Sequence, residues 1–506
     1  MITSSVGIRS LAVSFPRTIR TNQHWLHRFP ELGTQIPQRQ ARLPRSIEYT
    51  GDATGLDIWL QQVTPYLSDP FRGSVERRVL NADESAQTLE CQAAQAALSA
   101  ANLSPDQVDL AIVAALFPET VGPGYAAHLA RELGLRCPAW SLESTCSSAL
   151  IALQNAQALV KTGVYRHVLV VISHIGSRSV NEKDTLSWSM GDGAGAFVVG
   201  YAKSGQGILS TTILSTANTS GAYTHELAIA PQGKPWLQTR TGEDAKVLAE
   251  TAVDFVRDCC QAAARKAGVS LDRIDFFAFN TPTAWYADVC IKALGIAPER
   301  TINLYPQYAN IGPVFPIANL YLAVLDGKIC ENDLVLVYTN GAAATAAAIV
   351  MRWGDVALGT VSADSNRSLQ EKDPVHSNAQ NPIQTTSVIG NRDLKQQLIA
   401  AIPQERQTIL EAYLLEWLAN ARQISPTQLN TQLCLTTLLD SLLAIAFRSH
   451  LEATLQVQVP MKQFLGDNTI AHLTDFLLSQ LVVSQLAAPE SVNALLNQAE
   501  REIVSF

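Results

Sequence analysis

The chain has 506 residues, 47% of them hydrophobic and 16% charged, more than one hydrophobic core ordinarily holds, so at least two packed domains are expected. The formal charge of −8 is spread along the sequence without lysine and arginine clusters, which excludes nucleic acid as an expected partner. Apolar runs fall well short of the roughly 20 residues of a membrane helix, the opening residues lack a signal-peptide core, and a cytoplasmic protein with no membrane contact is expected. Eight cysteines without CxxC or CxxH spacing predict no metal site and no disulfide framework; Cys259 and Cys260 read as core residues.

In chain order, LSPDQVDLAIVAAL at 103–116 predicts a polar turn leading into a short strand. YRHVLVVIS at 165–173 and GDGAGAFVVGY at 191–201 predict two more buried strands. The series then returns at 269–280, 331–340 and 340–353, a weak internal repeat. Ala- and Leu-rich segments of helical period, such as 85–102 and 245–268, lie between these strands. The alternation predicts a duplicated α/β fold of mainly parallel buried strands over residues 1–354, with halves at about 1–203 and 204–354 and a site where they meet.

After Trp353 the pattern changes. Residues 355–393 are polar and aperiodic, as in a flexible linker. Helical periodicity returns over 394–482 and predicts a small all-α bundle, and 483–506 reads as an amphipathic helical tail with no assigned role.

Within this frame Cys146 lies in STCSSALIALQNAQALV, where small polar residues run directly into an apolar-periodic helix. A thiol at a helix N-terminus is favoured as thiolate, and the free N–H groups there can bind an oxyanion. ESTCSSALIALQNA, GDGAGAFVV, YANIGPVFPIANLYLAVLDGKI and the strand ending in MRW together resemble ketoacyl synthase III and its acyltransferase relatives in order and spacing. VGIRSLAVSFPRTIRTN and VERRVLNADESA extend the resemblance over about residues 5–354. It implies a thiolase-like αβαβα core, a homodimer, an acyl group carried on Cys146, and backbone oxyanion donors at Cys146 and Ala342. Asn310, in YANIG, matches the family's asparagine. The family's histidine is missing, and Asn280 stands in its place.

Other departures bear on the substrate. Gly122 takes the place of a bulky pocket-gating residue, and Asp184 that of an arginine near the pantetheine path in some members. Residues 23–66 form an insertion relative to the simplest members. His174 and His225 read as core or surface histidines rather than as substitutes.

QLCLTTLLDSLLAIAFRSHLEATLQVQVPMKQFL resembles an acyl carrier protein, with Leu438 where that family usually has glycine. The resemblance implies that Ser441 bears a covalent 4′-phosphopantetheine arm, attached by a phosphopantetheinyl transferase. A linker of about 40 residues spans roughly 35 Å as a random coil, which gives a tethered thiol a high effective concentration.

The expected function is transfer of an acyl group from an acyl-coenzyme A or acyl-carrier thioester, through acyl-Cys146, to a carrier-bound or small-molecule acceptor in fatty-acid or polyketide-like biosynthesis. The acyl-carrier partner is the chain's own domain or one in trans. The alternatives are decarboxylative condensation to a 3-oxoacyl product and a non-catalytic scaffold that docks carriers.

Overall fold

A computed structural model describes residues 5–29, 55–66, 69–120, 124–182, 184–229, 235–242, 245–342 and 344–360, and, farther on, 394, 397–398, 401, 403–422, 424–425, 428–439, 441–455, 457, 459–464 and 468–486. These fall into two compact units, residues 5–360 and 394–486. The predicted linker and tail lie almost wholly outside the described residues, as do Gly122 and most of the insertion at 23–66.

In the first unit the strands are β1 (Val6–Ser14), β2 (Thr18–Thr21), β3 (Glu76–Val79), β4 (Leu110–Leu116), β5 (Ala139–Ser141), β6 (Val168–Ile175), β7 (Asp192–Tyr201), β8 (Gly207–Ser215), β9 (Tyr223–Ile229), β10 (Pro235–Thr241), β11 (Phe276–Phe279), β12 (Leu334–Asn340), β13 (Thr345–Arg352) and β14 (Ala357–Leu358). They form a six-stranded sheet in the order β14-β1-β7-β6-β4-β5 and a four-stranded sheet in the order β11-β12-β13-β8. Two further pairs, β2-β3 and β9-β10, stand apart.

The repeat in the sequence is visible in these sheets. β4 and β11 each follow a short 3-10 turn, Pro105–Gln107 and Leu271–Arg273, and β6 and β7 are answered by β12 and β13. The strands are not mainly parallel, however. β1–β14, β4–β5, β4–β6 and β11–β12 are parallel, whereas β1–β7, β6–β7, β8–β13 and β12–β13 are antiparallel. The reason is connectivity: β13 follows β12 through residues 341–344 alone, too short for the helical crossover that parallel neighbours need.

Helices Ser148–Lys161 and Phe315–Leu325 share one core with the inner faces of both sheets. Leu150, Leu153 and Ala156 of the first, and Phe315, Ile317 and Leu320 of the second, pack there with Val170 and Phe197 of one sheet and Val335 and Ile349 of the other. Each large side chain of this kind contributes about 1.5–3 kcal/mol by leaving water. Helix Ala86–Ala100 covers the outer face of the six-stranded sheet, its buried Ala93, Ala94 and Ala97 permitting close approach. Ser85 caps it, its Oγ accepting the Thr88 N–H at 3.0 Å. Helix Ala245–Ala267 covers the four-stranded sheet and buries Cys259 and Cys260, whose thiols burial pushes up, that of Cys259 to about 12. The layers therefore run helix, sheet, helices, sheet, helix, which is the duplicated thiolase-like arrangement expected.

The second unit is helical. Helix Pro403–Arg422 packs against Ile470–Leu486, and Ser441–Leu455 contributes Phe447, Leu451 and Leu455 to the interior. Trp417 stacks on Phe447 with ring centroids 4.2 Å apart. The Tyr413 hydroxyl lies 2.6 Å from His450 Nε2. Among the described residues no helix is long and apolar enough to cross a membrane.

Candidate active site

Cys146 does not open a long helix directly. It sits on a 3-10 turn, Thr145–Ser147, which hands the chain over to helix Ser148–Lys161. The turn is strained, because Thr145, a β-branched residue, has φ 47°. Hydroxyl groups hold it in that shape. The Ser148 Oγ donates to Thr145 O at 2.7 Å and accepts the Ser144 N–H at 2.9 Å. Across the molecule, the Ser147 Oγ donates to Thr345 O at 2.7 Å, the Thr339 Oγ1 donates to the Ser147 Oγ at 2.9 Å, and the Ser144 and Thr345 hydroxyls lie 2.7 Å apart. Thr339 and Thr345 lie on β12 and β13, so the second half clasps the turn supplied by the first.

The chain between β12 and β13 supplies Ala342, whose carbonyl accepts from the Thr145 Oγ1 at 3.2 Å. This brings the Cys146 turn and the Ala342 backbone together. Gly341 allows the approach, since a Cβ there would lie 2.3 Å from Thr145 Oγ1 and 2.8 Å from Ser144 O.

Asn280 follows the end of β11 and is 1% exposed. Its amide nitrogen donates to Gly312 O at 3.2 Å, and the amide lies near enough to Cys146 to lower that thiol's pKa. The Oδ1 is buried and unpartnered among the described residues. Asn310 stands on the far side of Gly312 and accepts the Gly312 N–H through its Oδ1 at 2.9 Å. One glycine thus bridges the two asparagines, by its carbonyl to Asn280 and its amide to Asn310. The preceding residue, Ala309, is strained as well, with φ 52°.

His174 closes the back of this loop. A Cβ on Gly312 (φ 51°) would lie 2.5 Å from the His174 ring. His174 is 1% exposed, and its Nδ1 donates to Gly191 O at 2.9 Å. Burial lowers its pKa to about 4 against the Gly191 bond, so it stays neutral near pH 7. Asp184, exposed, caps a short turn by accepting the Leu186 N–H at 2.9 Å.

Electrostatically, Cys146 departs from the thiolate expected at a helix start. Burial pushes the half-buried thiol up to about 11; the Asn280 amide opposes this and the Glu143 carboxylate adds to it. One short 3-10 turn supplies less field than a long helix end, and desolvation wins. The resting group is therefore the thiol. Among the described residues no cluster of three or more histidine, cysteine or acidic side chains could hold a metal ion.

In the second unit Ser441 is the first residue of helix Ser441–Leu455. Phe447, Leu451 and Leu455 are buried along that helix. Sequence reasoning named Cys146, Asn280, Asn310 and Ala342, and the first three meet around Gly312 and the 3-10 turn. It missed the hydroxyl clasp, for which the serines and threonines flanking Cys146 and Asn340 were the available signal. Gly341→Ala is expected to destabilise the chain by about 1–3 kcal/mol through overpacking, with slower alkylation of Cys146. Thermal denaturation and peptide-resolved iodoacetamide labelling check this, and wild-type values for both would mean that the turn yields without cost.

Comparison with known proteins fits this geometry. The family described as 3-oxoacyl-[acyl-carrier-protein] synthase III matches residues 141–217, and its C-terminal part matches 264–353. Residues 430–477, which include Ser441, match the phosphopantetheine attachment site. A beta-ketoacyl-[acyl-carrier-protein] synthase III of Brucella abortus is 28% identical over 327 residues, covering 64% of this chain and 98% of that protein. The counterpart from Brucella suis is 29% identical over 332 residues, with the same shares of 64% and 98%. Among solved structures, the synthase III of Thermus thermophilus is 26% identical with a TM-score of 0.54, covering 69% of this chain and 99% of that one. The priming β-ketosynthase of the R1128 polyketide pathway shares the fold at 21% identity and a TM-score of 0.56, over 70% of this chain and 97% of that one. The chain joins a unit similar to ketoacyl synthase III, a family of transferases and condensing enzymes, to a C-terminal region that matches the phosphopantetheine attachment site.

Proposed function

We propose that the first unit takes an acyl group from a coenzyme A or carrier thioester onto Cys146 and passes it to a carrier-bound or small-molecule acceptor, within fatty-acid or polyketide-like biosynthesis. The backbone N–H groups of Cys146 and Ala342 are the oxyanion donors in this reading. Ser441 is the attachment point of the phosphopantetheine arm, which supplies a thiol for carrying the acyl group when attached. The chain's own carrier domain, or one in trans, is the partner.

The observation that favours transfer over decarboxylative condensation is the state of Asn280. Condensation generates an enolate, which needs free donors, and each missing donor costs roughly 10²–10³ in rate. The Asn280 nitrogen is engaged by Gly312 O, and an amide exchanges no proton near neutral pH. Asn310 remains as the donor on that side. A transfer reaction makes no enolate and loses nothing by this arrangement.

Intact-protein mass spectrometry with a panel of acyl-coenzyme A and acyl-carrier donors is expected to add one acyl group to wild type and none to Cys146→Ala. Acyl-loaded enzyme given malonyl-carrier is expected to release little carbon dioxide, and Asn280→His to raise that release by about 10²-fold. Rapid formation of a 3-oxoacyl product by wild type would establish condensation instead.

A phosphopantetheinyl transferase with coenzyme A is expected to add one arm to wild type and none to Ser441→Ala; an arm on the variant would place the site elsewhere. The synthase-like unit is proposed to pair about a two-fold axis. Light scattering of the full chain at micromolar concentration is expected to give twice the chain mass, and a monomer would refute the pairing.

A further inference from the structure

If Cys146 carries an acyl group as proposed, one orphaned atom beside it bears on what takes that group away. Asn280 is 1% exposed. Gly312 O can only accept, so the amide nitrogen faces it at 3.2 Å and the Oδ1 lies on the other arm of the amide. That oxygen is buried and unpartnered among the described residues. A buried acceptor left without a donor is costly, and it suits a ligand that brings an N–H or O–H.

Asn280 is tied to the Cys146 turn at two points. Its backbone N–H donates to Tyr338 O at 3.0 Å, and the next residue of β12, Thr339, donates through Oγ1 to Ser147, beside Cys146, at 2.9 Å. The 3-10 turn Gly312–Val314, which Asn280 holds through Gly312 O, packs against the turn Thr145–Ser147. Asn319 and Asn340 carry orphaned oxygens too, but of the three only Asn280 hydrogen-bonds the Gly312 turn. Cys146 itself is only half-buried.

Proton acceptors are scarce at this junction. An amide takes up no proton near neutral pH. Glu143 is exposed, and its carboxylate is engaged by the Thr145 N–H at 2.5 Å. His174 and His225 pack edge-on against Phe117, with centroids 5.3 and 4.9 Å away, and among the described residues neither hydrogen-bonds Cys146 or Asn280. An incoming acceptor must therefore bind Oδ1 and give up a proton unaided, and the number of its hydrogens decides which class can. An alcohol or a thiol has one, and on Oδ1 it is held by a group that cannot take it. A primary amine has two.

We infer that the acceptor is a primary amine and that the unit forms an amide, an inference that rests on the acyl-Cys146 reading above. One N–H of the amine donates to Asn280 Oδ1, which turns the nitrogen lone pair toward the acyl carbon on Cys146. The carbon–nitrogen bond forms, the carbon–sulfur bond breaks, and the second N–H proton passes to the departing sulfur. The hydrogen on Oδ1 stays on nitrogen in the product amide, and Cys146 returns as the thiol. Burial favours that proton uptake, since it pushes the thiol up to about 11.

The test loads the full chain with S-octanoyl-N-acetylcysteamine, removes the excess, and offers propylamine, propan-1-ol or N-acetylcysteamine at equal concentration at pH 8. Loss of octanoyl from Cys146 is followed by intact mass, and each rate is divided by that of the same reagent with the free thioester. Propylamine is expected to be accelerated on the order of 10-fold over the other two, with N-propyloctanamide as product. Asn280→Leu, compared through its ratio of propylamine to N-acetylcysteamine rates, is expected to lose that preference. A wild type that hands octanoyl to the thiol or the alcohol alone keeps the acyl-enzyme and removes the amine, as does an unchanged ratio in the variant. A wild type that never loads removes the acyl-enzyme reading and this inference with it.

Discussion

The site depends on a handful of hydroxyl hydrogen bonds between Thr339 and Thr345 on one side and Ser144 and Ser147 on the other. Two duplicated halves can share a hydrophobic core in many relative positions, since apolar contact is non-directional. Directed bonds between buried hydroxyls admit far fewer. Ser147 and Thr339 are both 0% exposed, so leaving either unpartnered costs about 1–3 kcal/mol. The clasp thereby fixes where the strained Cys146 turn stands relative to Ala342 and, through β11 beside β12, relative to Asn280.

Strain is distributed in keeping with this. Among the described non-glycine residues φ is positive at six positions, and Phe117, Thr145 and Ala309 are three of them. Each borders a named group: Phe117 the two histidines, Thr145 Cys146, Ala309 Asn310. Conformations of this kind cost on the order of 1–3 kcal/mol each and persist only where the surroundings over-determine them. Burial does so here, since Phe117 and Ala309 are nearly inaccessible and Thr145 is held by Glu143, Ser148 and Ala342.

Local patterns revealed much of the fold because they report on local causes. The Asp-containing turns before β4 and β11, the alanines of helix Ala86–Ala100 and the small residues entering β13 are all legible as periodicity or turn chemistry. Strand direction was not, because the antiparallel return of β13 along β12 depends on pairing between segments whose apolar alternation looks alike in either sense. Asn280 directly follows β11, the strand that DFFAF predicts. The charge state of Cys146 escaped, since STCSSAL predicts a helix start and says nothing of how far the thiol is desolvated.

The elevated thiol pKa carries a consequence for durability. At pH 7 a group near pKa 11 is ionised in only about one molecule in ten thousand. Peroxides, disulfides and electrophilic metabolites attack thiolates, so Cys146 as a thiol is a poor target for oxidation to sulfenic acid and for adventitious capping. Cys259 and Cys260 are protected by burial in the same way. The chain therefore holds Cys146 in a chemically quiet form.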